Sequence, residues 1–99
     1  MTAYEFNTKY KQHIPEGWYG LEFNTPPVTE YLDIVMEDLI TIPGFELYQV
    51  KLKFGMARFY FKTDWKDKGL EAALEIKIED KINQLNKQDN TVGKNELFN

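Results

Sequence analysis

Basic and aromatic side chains alternate between positions 46 and 63, the part of this chain best suited to chemistry. Such cations contact phosphates or carboxylates, and a neighbouring aromatic ring can stack on a flat ligand group. Segment 51–68 holds six basic residues and two acids, a local excess of +4 on a chain of net charge −4. A basic ribbon on an acidic protein favours a local contact over general coating of nucleic acid. The candidate contact residues are Lys51, Lys53, Arg58, Tyr60 and Lys62.

Three interpretations of this ribbon stay open. Surface lysines can simply keep a sheet soluble and block edge-to-edge pairing, in which case Arg58 pairs with an acid such as Glu46 or Asp64. The ribbon can instead contact a protein partner. It can also contact nucleic acid through phosphates while an aromatic ring stacks on a base.

A second candidate surface is acidic and comprises Glu30, Asp33 and Glu37, with Asp38 beside them. Their spacing places the carboxylates on the polar side of a predicted helix. They can ligate a hard cation, act as an acid–base pair, or form a solvated face opposite the core. A further reading is an acidic surface presented to a basic partner, and we rank it above the metal site.

Catalytic constellations are poorly represented. The chain has no serine and no cysteine, and His13 is its only imidazole, placed where it can complement the dipole of a first helix. Its six glycines are scattered and form no phosphate-binding loop. We therefore expect a protein that is not an enzyme, with no metal and no cofactor.

The elements that must position these residues follow from capping and periodicity. Thr2 and Glu5 have capping-box spacing, which predicts a helix over about 3–13. Residues 18–24 indicate a short edge strand or an ordered loop. Thr25 followed by two prolines predicts a helix over about 27–40, capped by the threonine hydroxyl. An apolar stripe predicts a last helix over about 67–87.

An antiparallel hairpin is predicted between the second and last helices. Residues 45–54 alternate, which places Tyr48 and Val50 on one face with Leu52 and Phe54, opposite Gln49, Lys51 and Lys53. Residues 57–63 alternate in the same way, and Gly55-Met56 supplies the turn. A hairpin alone is marginal in water, so its apolar face must lie on the helices.

Together these patterns predict a single α+β domain over residues 1–87, with two or three helices packed on a hairpin or on a sheet of three strands. Residues 88–99 are predicted to form a flexible polar tail. No signal peptide or membrane-length apolar run is visible, and cysteine is absent, so we expect a cytoplasmic protein without a membrane contact. Trp18 is expected to be buried.

Residues 50–60, Val-Lys-Leu-Lys-Phe-Gly-Met-Ala-Arg-Phe-Tyr, resemble the pattern Val-Lys-x-Lys-Phe-Gly-x-x-Arg-Phe-Tyr of small uncharacterised phage and bacterial proteins. Gly17-Trp18 is similar to a Gly-Trp near their start, and the resemblance covers about residues 17–82. Many of these relatives end in a Cys-x-x-Cys-like segment that this chain lacks, so no zinc-linked role carries over. The resemblance implies a phage or mobile-element origin without a mechanism.

The function expected from the sequence is therefore non-enzymatic. The first hypothesis is a phage-type protein that binds a host protein, such as a defence or regulatory factor, with inhibition of that factor as one outcome of binding. The second is a nucleic-acid-binding accessory protein that uses the hairpin, and the third is a small metal-dependent enzyme that uses the acidic helix. A homodimer through the hairpin edge or the last helix is compatible with all three.

Overall fold

The computed structural model describes the backbone of residues 1–98 and the side chains of residues 1–87. Three helices and three strands follow one another along the chain. They are α1 (Ala3–Lys9), β1 (Gly20–Leu21), α2 (Pro26–Leu39), β2 (Glu46–Lys53), β3 (Met56–Lys62) and α3 (Lys68–Phe98), with a 3₁₀ turn at Lys11–His13 after α1.

Helix starts follow the capping chemistry only in part. The capping box of α1 is confirmed, because the Glu5 N–H donates to Thr2 Oγ1 and the Thr2 N–H donates to Glu5 Oε1, both at 3.1 Å. The Thr25 hydroxyl, however, caps nothing at the start of α2. The backbone carbonyl oxygen of Thr25 instead accepts hydrogen bonds from the backbone N–H and the hydroxyl of Thr29. The two prolines of the first turn need no cap, since they have no N–H to satisfy.

The sheet has the order β1-β2-β3, and the predicted α+β domain with its antiparallel hairpin is confirmed. The predicted additional strand is present as β1, and it runs parallel to β2, with Gly20 opposite Gln49 and Leu21 opposite Val50. A parallel neighbour requires a crossover connection, and α2 lies within the one that joins β1 to β2.

A β-bulge in β2 changes which side chains reach the core. Leu47 lies opposite Phe61 and Gln49 lies opposite Tyr60, so Tyr48 is an extra residue in the ladder. The prediction that Tyr48 shares the core face with Val50 is therefore wrong, since Leu47 is buried there instead.

One hydrophobic cluster joins the inner face of the sheet to all three helices. Strand residues Leu47, Val50 and Phe59 are fully buried in it. The helices contribute Phe6, Leu32, Met36 and Ile82, which are also fully buried. The helical layer thus covers one face of the sheet, and the other face remains outside the core.

Helix α3 begins close to its predicted start but continues to Phe98, beyond the predicted end near residue 87. The side chains of residues 88–99 lie outside the described residues, and the predicted mobility of that segment stays a prediction. Along the described part of the chain, no helix combines the length and apolar character that crossing a bilayer would need.

Side chains of the flanking helices close both edges of the sheet. On the β1 edge, the Leu21 N–H donates to Asn7 Oδ1 at 2.8 Å and Asn7 Nδ2 donates to the Leu21 carbonyl at 2.9 Å. On the β3 edge, the Ala57 N–H donates to Asn83 Oδ1 at 2.8 Å and the Phe59 N–H donates to Glu79 Oε2 at 2.9 Å. These four backbone groups, which could otherwise pair with another strand, are therefore satisfied within the domain.

Removal of one edge contact tests its energetic role. Asn83→Ala leaves the Ala57 N–H without its acceptor, which we expect to cost about 1–3 kcal/mol. The better helix propensity of alanine offsets only about 0.5 kcal/mol of this loss. Urea unfolding of Asn83→Ala beside Gln84→Ala, at the exposed neighbouring position, measures the difference. Equal stabilities of the two variants would contradict a structural role for this contact.

Candidate functional site

The outer face of the sheet, opposite the helices, carries an aromatic row that we call the outer-face array: Trp18, Tyr48 and Tyr60. Trp18 precedes β1 and its ring centroid lies 4.8 Å from that of Tyr48. The bulge in β2 brings Tyr48 to this face. Trp18 is 48% exposed, so the expectation that it is a buried core anchor is wrong. It packs on the half-buried ring of Tyr48 instead of on the core.

Two cations lie directly opposite each other beside this array. Lys51 of β2 pairs in register with Arg58 of β3, and the Lys51 ammonium lies 5.7 Å from the Tyr60 ring centroid. Like charges directly opposite each other destabilise a strand pair. Within residues 1–87, neither cation forms an ion pair with an acid, including the expected Glu46 or Asp64.

The remaining predicted cations belong to the same hairpin. Lys53 is exposed at the end of β2, beside the turn, and Lys62 is exposed at the end of β3 opposite Glu46. The structure therefore places all five predicted hairpin residues on two adjacent strands. Glu46 lies opposite Lys62, and Glu22 Oε1 accepts from Gln49 Nε2 at 2.9 Å, whereas Lys51 and Lys53 lie nearer the turn.

Two shallow grooves flank the ridge that Tyr48 and Tyr60 form. One, of about 320 Å³, is lined by these tyrosines with Trp18, Gln49 and Lys51. The other, of about 270 Å³, lies between the ridge and the first turns of α3 and includes Glu71 and Glu75. The first groove combines apolar walls with a cation, which suits an extended acidic or aromatic ligand.

The hairpin turn is a feature that the sequence pattern placed one residue too late. The two-residue loop is Phe54-Gly55, with φ of 54° and 76°, not Gly55-Met56. Phe54 is 95% exposed, so it does not share the core face with Val50 as the alternation predicts. Two positive φ values define a type I′ turn, a conformation that glycine adopts readily and phenylalanine adopts rarely.

The acidic residues of α2 differ in their contacts and in their exposure. Asp33 Oδ1 accepts from the buried Tyr10 hydroxyl at 2.6 Å and lies 2.8 Å from the Lys9 ammonium. These hydrogen bonds hold the pKa of Asp33 below its usual value. Asp33 therefore fastens α1 to α2. Glu30 lies 3.1 Å from the amino group of Met1, and Glu37 is exposed.

The acidic and basic candidate sets do not form one surface. Helix α2 packs on the inner face of the sheet, so its polar side points away from the outer-face array. Among the residues that the structure describes, no three His, Asp or Glu side chains are arranged to hold a metal ion. His13 is half-buried in the 3₁₀ turn after α1.

Glu71, Glu75 and Glu79 form a row of glutamates at four-residue spacing on α3, along the edge of β3. Glu71 accepts from the Thr63 hydroxyl at 2.7 Å and from Lys68 at 2.6 Å, and these bonds lower its pKa. Glu75 lies one turn later, where burial and the charge of Glu79 raise its pKa, opposed by Arg58.

Two matched substitutions are expected to have opposite effects on stability. A raised pKa means that ionised Glu75 destabilises the fold near neutral pH, so Glu75→Gln should be more stable there. This gain should shrink as the pH falls toward the pKa of a free glutamate. The lowered pKa of Glu71 means that its ionised form stabilises the fold, so Glu71→Gln should lose stability at neutral pH.

Thermal unfolding of both variants and the unmodified chain, from neutral pH down to well below the pKa of a free glutamate, checks these signs. The loss in Glu71→Gln should also fade once the pH falls below the unfolded pKa and through the lowered folded one. Shifts of the same sign for the two variants at neutral pH would contradict this account of the glutamate row.

Comparison of the chain with protein-family models, with curated proteins and with solved structures yields no match. The resemblance seen in residues 50–60 therefore stays a prediction. The functional interpretation consequently depends on the geometry of the outer face and of the hairpin turn.

Proposed function

We propose that this chain is a non-enzymatic interaction protein that binds an acidic surface of another protein through the outer-face array and the cations beside it. The observation that carries the proposal is the Lys51–Arg58 pair. Two cations face each other across adjacent strands beside exposed aromatic rings, without an acid bonded to either within residues 1–87.

Charge complementarity supports an acidic partner. A carboxylate that docks between Lys51 and Arg58 would relieve their repulsion, so the cost borne by the free protein becomes binding energy in the complex. Arginine and aromatic residues are also the side chains most enriched at the energetic centres of protein interfaces. The resemblance to phage and bacterial proteins adds the expectation that the partner is a host defence or regulatory protein in the cytoplasm, inhibited by the contact.

A charge reversal separates binding from folding. Lys51→Glu replaces a repulsive cross-strand pair by an attractive one, so stability should stay equal or rise by up to about 1 kcal/mol. Partner binding should fall sharply, because the acidic surface now meets a carboxylate. Lys11→Glu makes the same change in net charge at an exposed site near α1 and should leave binding unchanged.

The measurement is affinity capture from bacterial lysate treated with nuclease, followed by titration of the purified captured protein against each variant. Capture that survives nuclease and Lys11→Glu but is lost with Lys51→Glu supports the proposal. Equal capture by both variants, or the absence of any captured protein, would contradict it.

Single-stranded nucleic acid is a second candidate, favoured by the same array. Aromatic rings at neighbouring strands of an open sheet face can stack on bases while nearby cations contact phosphates. The net charge of −4 opposes it. A fluorescently labelled oligothymidine distinguishes the two, since affinity that falls steeply with salt and is lost with Tyr60→Ala would favour nucleic acid.

A further inference from the structure

The tip of the hairpin carries an aromatic residue in a position that serves neither packing nor turn geometry. Phe54 is 95% exposed and has a φ of 54°, in the left-handed region. A bulky side chain rarely adopts this conformation, and such residues cost about 1–3 kcal/mol. Asparagine is the residue that the first position of a type I′ turn favours. The fold alone therefore gives no reason for phenylalanine here.

The surroundings of Phe54 extend the apolar tip. Leu52 and Met56 are also exposed, on either side of the turn. Lys53 is exposed directly before Phe54, and Lys51 lies two residues before Lys53 in β2. No acidic residue occurs in the sequence between Glu46 and Asp64. The end of the hairpin therefore presents an apolar tip, formed by Leu52, Phe54 and Met56, on a basic stem that carries Lys51 and Lys53.

We propose that Phe54 inserts into an apolar pocket with an acidic rim on the partner protein, so that the hairpin tip anchors the contact made by the outer-face array. This inference rests on the proposed function and adds the shape of the partner's site. The apolar tip requires a pocket, and the lysines of the stem require carboxylates at its mouth. The type I′ turn places Phe54 at the tip of the hairpin, where its side chain is almost fully accessible to a partner.

The proposal predicts opposite effects of one substitution on stability and on binding. Phe54→Asn relieves the strain in the turn, so the melting temperature should rise by about 4 °C or more. The same variant removes the anchor, so affinity for the purified partner should fall about 30-fold or more. Phe54→Leu keeps an apolar side chain in the same backbone position and should retain most of the affinity.

Photocrosslinking identifies what the tip touches. The probe is p-benzoylphenylalanine, introduced separately at position 54, at position 60 on the outer face, and at the exposed position 4 on α1 as the control. Each protein is irradiated in nuclease-treated bacterial lysate, and the crosslinked peptides are sequenced. We expect positions 54 and 60 to label the same protein, with position 54 bonded to an apolar site bordered by aspartate or glutamate.

Other outcomes separate the two proposals. Labelling from position 60 but not from position 54 keeps the proposed function and overturns the tip anchor. Labelling from position 54 alone keeps the anchor and overturns the role of the outer face, and background labelling at both positions overturns both proposals.

Binding of the tip to something other than a partner protein would also overturn the proposed pocket, and two results would show it. One is crosslinking of position 54 to a second copy of this chain. The other is Phe54-dependent sedimentation of the protein with phosphatidylglycerol vesicles, which would assign the tip to a lipid surface. A stabilised Phe54→Asn variant with unchanged affinity for the purified partner would overturn it as well.

Discussion

The free edges of a sheet are hydrogen-bonding surfaces, and in this domain side chains of the flanking helices satisfy them. Asn7 uses both its amide oxygen and its amide nitrogen on the backbone of Leu21, as a neighbouring strand would. Asn83 and Glu79, one helical turn apart on α3, accept from alternate N–H groups of β3. Within residues 1–98, the three-stranded sheet is thereby completed without a fourth strand. Pairing with another chain at these positions would require the helices to give up these contacts.

Satisfaction of these edge groups favours contact through the outer face and the hairpin tip over pairing at the edges. Both places carry an energetic cost that the fold does not require: like charges in register at Lys51 and Arg58, and a left-handed backbone at Phe54. The Asp33 contacts with Tyr10 and Lys9, by contrast, are well matched. Costs at exposed residues that the fold does not require are typical of residues kept for binding, since stability is traded there for function.

Much of the fold follows from local rules in the sequence. The capping box of Thr2 and Glu5, the prolines at the start of α2 and the alternation in the hairpin all act over a few residues, so the elements were predictable. The bulge at Tyr48 was not, because strict alternation gives no sign of an inserted residue. Its consequence is large, since it moves Tyr48 from the expected core face to the outer-face array.

The sequence pattern predicted that the hairpin candidates lie together, but it did not predict their geometry or the positions of Trp18 and Tyr48 beside them. Lys51, Arg58 and Tyr60 lie together as the basic-aromatic pattern indicates, but their register depends on where the turn falls. Trp18 illustrates a different limit, because large aromatic residues are usually buried and only the tertiary structure shows that it lies against Tyr48. The role of Asp33 also depends on a long-range contact, with Tyr10, that no local pattern reveals.

Amide hydrogen exchange in the free protein tests the closed-edge account most directly. The N–H groups of Leu21, Ala57 and Phe59 point away from the neighbouring strand toward side-chain acceptors. If the helices close the edges, these amides should exchange as slowly as the buried amides of the β2–β3 ladder, and opening should require most of the free energy of unfolding. Exchange of all three at the rate of frayed or exposed amides would contradict the account and return the sheet edges to the surfaces available for pairing.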